Sequence, residues 1–304
     1  MNLAVLSFAV FLAAPPPVIG PGDLETAYQN IKDAVAKKDA DQVKRLAAQA
    51  CALAREAASA PAPESDDEKE AWKNHVAFAR DVEVYTEYAL YATAIQAPPE
   101  TTVDLLATLE QQNPKSKYLA DAYGPYFYAL HRTGAAAKIP DVAAKAIENF
   151  PDNDEALLVL ADTAMNRKQM DRALGYAKRL TAVLNRHGKP EGLSAGDWER
   201  KRSAALGRGY WIAGVVEGEK GQYFDCDKDL RAALPLVAGN DSMKAPALFY
   251  LGMANYQLGK MTMKKALVLE GAKFSTQAAA IQSPLAQQAW HNAQVMKDEA
   301  AKMR

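Results

Sequence analysis

Apolar residues recur at steps of three and four along most of the chain after Gly22, the spacing that places them on one face of an α-helix. Prolines, glycines and polar breaks separate these runs, and no run alternates apolar and polar residues as a half-buried strand does. The pattern therefore predicts an all-α chain. The predicted helices span residues 23–37, 40–60, 66–95, 98–113, 117–132, 137–149, 154–166, 170–185, 195–219, 222–237, 244–257, 261–279 and 283–303.

Two irregular stretches interrupt these helices, Pro61–Ser65 and His187–Asp197. Within the second, Ser194 and Asp197 resemble a capping box, in which the serine side chain accepts a hydrogen bond from a backbone N–H of the first helical turn. We therefore expect a new helix to begin near Ala195.

Glycines recur with a fixed spacing in the C-terminal half. Gly214 precedes Gly221 by seven residues, and Gly252 precedes Gly259 by the same seven. We expect the first glycine of each set to lie within a helix, where a neighbouring helix comes close. The second should lie in the following turn, where a positive φ is useful. Gly134 fits the same turn position earlier in the chain.

These positions resemble the tetratricopeptide repeat, a helix–turn–helix unit of about 34 residues. Lys168 stands once in place of the turn glycine, and Ala173 and Cys226 match the small residue of the second helix, whereas Ile139 and Lys264 do not. Pro114 and Pro151 match the proline that closes a unit. The resemblance is good over residues 117–185 and 205–275. Over 23–113 only Pro114 and the rhythm of helix pairs support it.

The resemblance implies a bacterial protein built as a right-handed superhelix of about six helix pairs. Its parts would be degenerate repeats over 22–113, clearer repeats over 117–280 and a capping helix over 283–303. In the capping helix we expect Ala289, Trp290, Ala293 and Met296 to pack inward. A generic helical bundle is the alternative fold.

The N-terminal residues 1–21 form a candidate signal peptide. Leu3 to Ala14 is an uncharged apolar run of signal-peptide length, too short to span a membrane, and three prolines follow it. No basic residue precedes it. The run favours export to the periplasm or secretion, with no integral membrane segment in the mature chain. The alternatives are an apolar N-terminal extension and a cytoplasmic protein.

Charge argues against two classes of partner. The 36 basic and 37 acidic residues are interspersed and give a formal net charge of −1. This balance is not that of a nucleic-acid-binding protein, and no polybasic run indicates an anionic membrane surface. The two cysteines, Cys51 and Cys226, are far apart in sequence, and we expect both to be small buried apolar residues without a disulfide.

No motif for chemistry stands out. The four histidines, His75, His131, His187 and His291, have no partner at metal-ligand spacing, so we expect no metal and no cofactor. The acidic run Asp225–Asp229 is interpreted as the start of a helix, where carboxylates favour the positive end of the dipole. We expect no catalytic residue, although an enzyme with an unrecognised helical active site remains a third interpretation.

The tetratricopeptide resemblance implies a protein or peptide partner bound in a concave groove lined by the first helix of each pair. The Lys and Asn set that clamps a peptide carboxylate in some members is absent, which leaves an aromatic and aliphatic groove with one basic corner. Packing between repeats is the competing role for these residues. A structural component of an envelope assembly, acting through its outer faces, is the alternative function. The candidate groove residues are Tyr128, His131, Arg132, Trp211, Phe249, Met253 and Tyr256.

Overall fold

The computed structural model describes residues 21–190 and 192–303. The candidate signal peptide lies outside the described residues, apart from Pro21, which begins the first helix. The described residues contain thirteen α-helices, one short 3-10 helix at Ala136–Lys138 and no strand. The helices are α1 Pro21–Ala36, α2 Ala40–Ala58, α3 Asp66–Ala94, α4 Pro99–Gln112, α5 Lys117–Arg132, α6 Ile139–Asn149, α7 Asp154–Asn166, α8 Met170–Arg186, α9 Ala195–Glu219, α10 Tyr223–Ala233, α11 Asp241–Met261, α12 Lys265–Ala279 and α13 Ala286–Lys302.

The all-α prediction is confirmed, and local caps explain several of the helix boundaries. Asp39 and Asn153 each accept a hydrogen bond from a first-turn N–H, of α2 and α7 respectively. Ser194 Oγ accepts a hydrogen bond of 3.0 Å from Asp197 N, so α9 begins at Ala195 as predicted. The helix α11 begins three residues earlier than predicted, because Asn240 caps it and the helix continues through Pro246.

The chain divides into two compact units, unit 1 up to Ala122 and unit 2 from Tyr123. In unit 1, α2 packs on α1, α3 and α4, and α3 also packs on α1 and α4. Small residues fill the contact between α1, α2 and α3, which lets these helices approach closely. The buried residues of this core are Leu24, Ala27, Ala50, Ala54, Ala57, Ala79 and Val82.

Unit 2 contains three successive helix pairs, α7 with α8, α9 with α10 and α11 with α12. The second helix of each pair also packs on the helix that follows it. In addition, the first helices touch one another in the series α7, α9, α11 and α13. We call the surface along this series the first-helix face of unit 2.

Of the six described residues with a positive φ, Gly192 lies in the irregular stretch between α8 and α9, and the other five each lie in a short turn between helices. These five residues are Lys38, Gly134, Lys168, Gly221 and Met263. The predictions for Gly134 and Gly221 are confirmed, and Lys168 replaces glycine as expected. The prediction that Gly259 lies in a turn is wrong.

Gly259 is buried inside α11, where a Cβ atom would lie 2.8 Å from the backbone nitrogen of Val268 on α12. Gly259 is therefore a point where α11 and α12 approach closely, and the positive-φ residue of the turn is Met263, four residues later. The predictions for Gly214 and Gly252 are confirmed. A Cβ atom at Gly214 would lie 2.5 Å from Leu230 Cγ, and one at Gly252 would lie 3.1 Å from the carbonyl oxygen of Gly271.

The inward face of α13 differs from the prediction at one residue. Ala289, Ala293 and Met296 are buried as expected, but Trp290 is 60% exposed. The buried series continues to Ala300 in steps of four, three and four residues. Trp290 follows directly after the first of these residues, about 100° around the helix, so it lies off the buried face.

Candidate functional site

The N-terminal end of the predicted groove is exposed. Tyr128 is 64% exposed, and His131 and Arg132 are exposed in the last turn of α5. Phe127 and Ala129, on either side of Tyr128, are buried, so α5 turns one face inward and leaves these three side chains accessible. The three side chains are therefore accessible, and their part in a binding groove stays a prediction.

Trp211 and Phe249 are not accessible in this way. Trp211 is 9% exposed, its Nε1 donates a 2.7 Å hydrogen bond to the carbonyl oxygen of Met243, and the guanidinium of Arg208 covers its ring at 4.7 Å. Phe249 is 7% exposed and packs in a cluster with Leu248 and residues of α12 and α13. Both side chains therefore hold helices together, the competing role that the sequence left open, and they do not line an open groove.

Met253 and Tyr256 are half-buried against α13. Asn292 Nδ2 lies 3.4 Å from Met253 Sδ, and the Tyr256 hydroxyl donates a 2.8 Å hydrogen bond to Glu299. This hydrogen bond, together with the charge of Lys260, lowers the pKa of the Glu299 carboxyl. The helix α13 thus packs on the part of α11 where we expected a partner.

Ion pairs cross the rest of the first-helix face of unit 2. Arg208 on α9 contacts Asp162 on α7 at 2.6 Å, and Lys201 contacts Glu155 at 2.8 Å. Burial alone would lower the pKa of Lys201, but the hydrogen bond to Glu155 and the nearby acidic charges raise it overall. The face is therefore polar between α7 and α9, and it is not the aromatic and aliphatic groove that the sequence predicts.

A buried ionic group joins three helices of unit 2. Lys178 Nζ on α8 lies 2.7 Å from both Glu217 Oε1 on α9 and Asp229 Oδ2 on α10, and both carboxylates are buried. Glu217 Oε2 accepts no hydrogen bond from any described residue, and burial raises the pKa of this carboxyl. The helix-start interpretation of the acidic run therefore does not hold for Asp229, whose charge is paired in the core.

Neither cysteine is a reactive nucleophile. Burial raises the pKa of Cys51, and burial with the nearby carboxylates raises the pKa of Cys226 to about 12, so both thiols are protonated at neutral pH. Across residues 21–190 and 192–303, no group of three His, Cys, Asp or Glu side chains is arranged to hold a metal ion. None of the helices in these ranges combines the length and apolar character needed to cross a bilayer.

An exposed apolar surface lies on unit 1, along the 29-residue helix α3. Val84, Tyr88 and Ile95 are each more than 40% exposed, and the partly buried Tyr91 lies between the last two. Steps of four, three and four residues place these four side chains in one line along the helix. We call them the α3 stripe.

Aromatic rings extend the α3 stripe sideways. The ring of Tyr88 lies 5.9 Å from that of Tyr85 and 5.7 Å from that of Tyr118, and Tyr85 in turn contacts Tyr28 at 5.0 Å. Burial raises the pKa of Tyr85 and of Tyr91, so both remain neutral phenols. The result is a continuous aromatic surface of the kind enriched at protein interfaces.

The α3 stripe borders a cleft of about 310 Å³. Tyr88 belongs to both, and Lys38, held at a φ of 57° in the turn between α1 and α2, is one of the residues that line the cleft. No carboxylate of the described residues pairs with Lys38. The volume is at the lower end of the range for small-ligand sites. The lining residues are Val35, Lys38, Ala40, Tyr88, Ala92, Thr93, Gln96, Ala97, Pro98 and Thr101, and we call it the Lys38 cleft.

Sequence reasoning missed both features of unit 1, because the search for a site followed the repeat resemblance, which is weakest there. One signal was available, the apolar series at residues 84, 88, 91 and 95 on a helix that already buries another face.

Comparison with known proteins adds no functional assignment: no family model matches the chain, and no curated protein is significantly similar to it.

Proposed function

We propose that this protein is a non-enzymatic, tetratricopeptide-like scaffold that binds a protein segment through the α3 stripe and the Lys38 cleft of unit 1. The observation that carries the proposal is the line of apolar side chains from Val84 to Ile95, which shares Tyr88 with the cleft that the unpaired Lys38 lines. The packing order of unit 2 and the positive-φ turn residues support the repeat architecture.

The chemistry of the stripe suits one kind of partner. From residue 84 to residue 95 the helix rises about 16 Å, roughly the length of three turns of a partner helix. A helical or extended segment with two or three apolar anchors could lie along this line and place an acidic group near Lys38. Tyrosine contributes large contact area with few rotatable bonds, which limits the entropy lost on binding.

We propose the cell envelope, in the periplasm or outside the cell, as the place of action. The apolar run Leu3–Ala14 supports this part of the proposal, because an uncharged apolar segment of this length is typical of secretory signal peptides.

A second candidate function is that of an assembly component acting through the outer surface of unit 2. It is favoured by the exposure of Phe224, Leu269 and Trp290, three large apolar side chains on α10, α12 and α13. These residues lie on different helices and form no continuous line comparable to the α3 stripe.

A displayed library of random peptides separates the two candidates. We expect the full chain to select sequences with apolar anchors at helical spacing and an acidic residue at one end. Binding of a selected peptide should fall about tenfold or more for Tyr88→Ala, the size expected for an interface anchor. The matched control is Trp290→Ala, which removes an exposed aromatic ring from unit 2 and should leave the affinity unchanged.

Two outcomes contradict the proposal. Peptides whose affinity depends on Trp290 and not on Tyr88 would favour the outer surface of unit 2. Equal affinity of both variants and the wild type would place binding elsewhere.

A further inference from the structure

The turn between α11 and α12 carries two strongly exposed methionines. Met261 is 74% exposed and Met263 is 80% exposed, the two highest values among the large apolar side chains of the described residues. We call residues 260–265 the α11–α12 tip. Exposed methionine side chains are flexible and adapt to irregular apolar surroundings.

Met263 also has an unfavourable backbone conformation. Its φ is 55°, and the corresponding turn position holds a glycine at Gly134 and Gly221 and a polar side chain at Lys38 and Lys168. Because a Cβ atom makes this region costly, glycine would relieve the strain. An apolar side chain here is unfavourable for both its conformation and its exposure, and such a residue is a candidate for function.

The sequence segment that forms the tip carries only positive charge, although Glu299 of α13 lies beside its first residue. Between Asp241 and Glu270 the chain contains no acidic residue, and Lys260, Lys264 and Lys265 flank the two methionines. Lys260 is paired with Glu299. Lys265 Nζ donates only to the neutral carbonyl oxygen of Met303, and no described carboxylate pairs with Lys264. Two positive charges therefore remain available beside the methionines.

Although the sequence contains no polybasic run of the kind that indicates a membrane surface, we propose that the α11–α12 tip, with its two exposed methionines and two available lysines, docks on the surface of an anionic lipid bilayer. Met261 and Met263 enter the boundary between headgroups and acyl chains, while Lys264 and Lys265 contact the headgroup phosphates. A protein partner fits the tip less well, because a specific protein interface buries about 800 Å² on each side and six residues of a turn cannot supply this area. A bilayer requires only shallow insertion of apolar side chains next to basic ones.

Vesicle flotation tests this proposal. We expect the full chain to bind vesicles of equal parts phosphatidylglycerol and phosphatidylcholine and to bind pure phosphatidylcholine vesicles much more weakly. Raising the salt from 50 to 300 mM should weaken the binding, since screening shortens the reach of the lysine charges. Lys264→Gln with Lys265→Gln should reduce the partition coefficient about 25-fold, at about fivefold per lysine.

The methionine contribution is tested separately with Met261→Ser and Met263→Ser together, which should reduce the partition coefficient about tenfold or more. The matched control is Trp290→Ser, which removes an exposed aromatic ring from another helix and should bind as the wild type does. Circular dichroism melting establishes that each variant is folded. The proposal is overturned by failure of the wild type to bind, by equal binding to both vesicle types, or by an equal loss for Trp290→Ser. A methionine-dependent dimer without vesicle binding would assign the tip to a second copy of the chain.

Discussion

A close backbone contact between α11 and α12 makes a quantitative prediction about Gly271. A Cβ atom added at this residue of α12 would lie 2.7 Å from the carbonyl oxygen of Gly252 and 2.9 Å from the backbone nitrogen of Tyr256, both on α11. These neighbours are backbone atoms and cannot move aside as a flexible side chain can. Gly271→Ala must therefore push α11 and α12 apart or distort one of them.

Two opposing terms set the size of the effect. Replacing glycine by alanine within a helix favours folding by about 1 kcal/mol. Overpacking a tight contact costs about 1–3 kcal/mol or more, and the backbone clash places Gly271→Ala in the upper part of this range. We expect a net loss of about 1–2 kcal/mol. At about 2–4 °C per kcal/mol, the melting temperature should fall by roughly 2–8 °C.

Gly175→Ala is the matched control. Gly175 lies within α8, is exposed, and has no atom within 4 Å of an added Cβ. At this position only the higher helix propensity of alanine contributes, so the melting temperature should rise by about 2–4 °C. Thermal unfolding followed by circular dichroism at 222 nm measures both variants. A rise for Gly271→Ala equal to that for Gly175→Ala would refute the close packing of α11 and α12.

Three further predictions concern single side chains of unit 2. Folding raises the pKa of Glu217, so its carboxyl binds protons more tightly in the folded state than in the unfolded state. The free energy of unfolding of the wild type should therefore decrease as the pH rises from about 4.5 through the raised pKa. Glu217→Gln should remove this loss, so in urea titrations its free energy of unfolding relative to the wild type should increase from pH 4 to pH 7; a constant difference would contradict the assignment. Met263→Gly should stabilise by about 0.5–1 kcal/mol, since relief of the positive φ exceeds the entropy cost of glycine, whereas Thr262→Gly, at a φ of −102°, should destabilise. Cys226, with a pKa of about 12, should resist alkylation by iodoacetamide at pH 8 until urea unfolds the chain, and fast labelling of the folded protein would show that the thiol is not buried.

Local features of the fold could be predicted because they depend on residues close in sequence. The cap of α9 requires only Ser194 and the N–H of Asp197, and the periodicity that defines each helix extends over a few turns. Local sequence was not sufficient to place all of the glycines in helices or turns. Gly214 and Gly252 were placed correctly, but the matching spacing to Gly259 was misleading, because α11 continues beyond it to Met261. The length of a helix is decided partly by what packs on its end.

The ion pairs of the first-helix face could not be predicted in the same way. Arg208 and Asp162 are 46 residues apart, and their contact exists only because α9 lies against α7. The burial of Trp211 depends likewise on α11, which supplies the carbonyl oxygen of Met243 to its indole N–H. From the sequence alone, an aromatic residue on the first helix of a pair fits an open groove and a helix contact equally well.

The distribution of apolar residues around α3 shows why unit 1 is the better place to look for a partner. One face of this helix buries Val76, Ala79, Val82 and Leu90 against its own unit. A helix that packs on only one side of a unit needs a single apolar face. A helix that is apolar around much of its circumference is normally enclosed by other elements. In α3 the second face is the α3 stripe, and it remains exposed. Trp211 and Phe249 are buried by contacts within unit 2, whereas Tyr88 and Ile95 are each more than 40% exposed and are accessible to the partner that we propose.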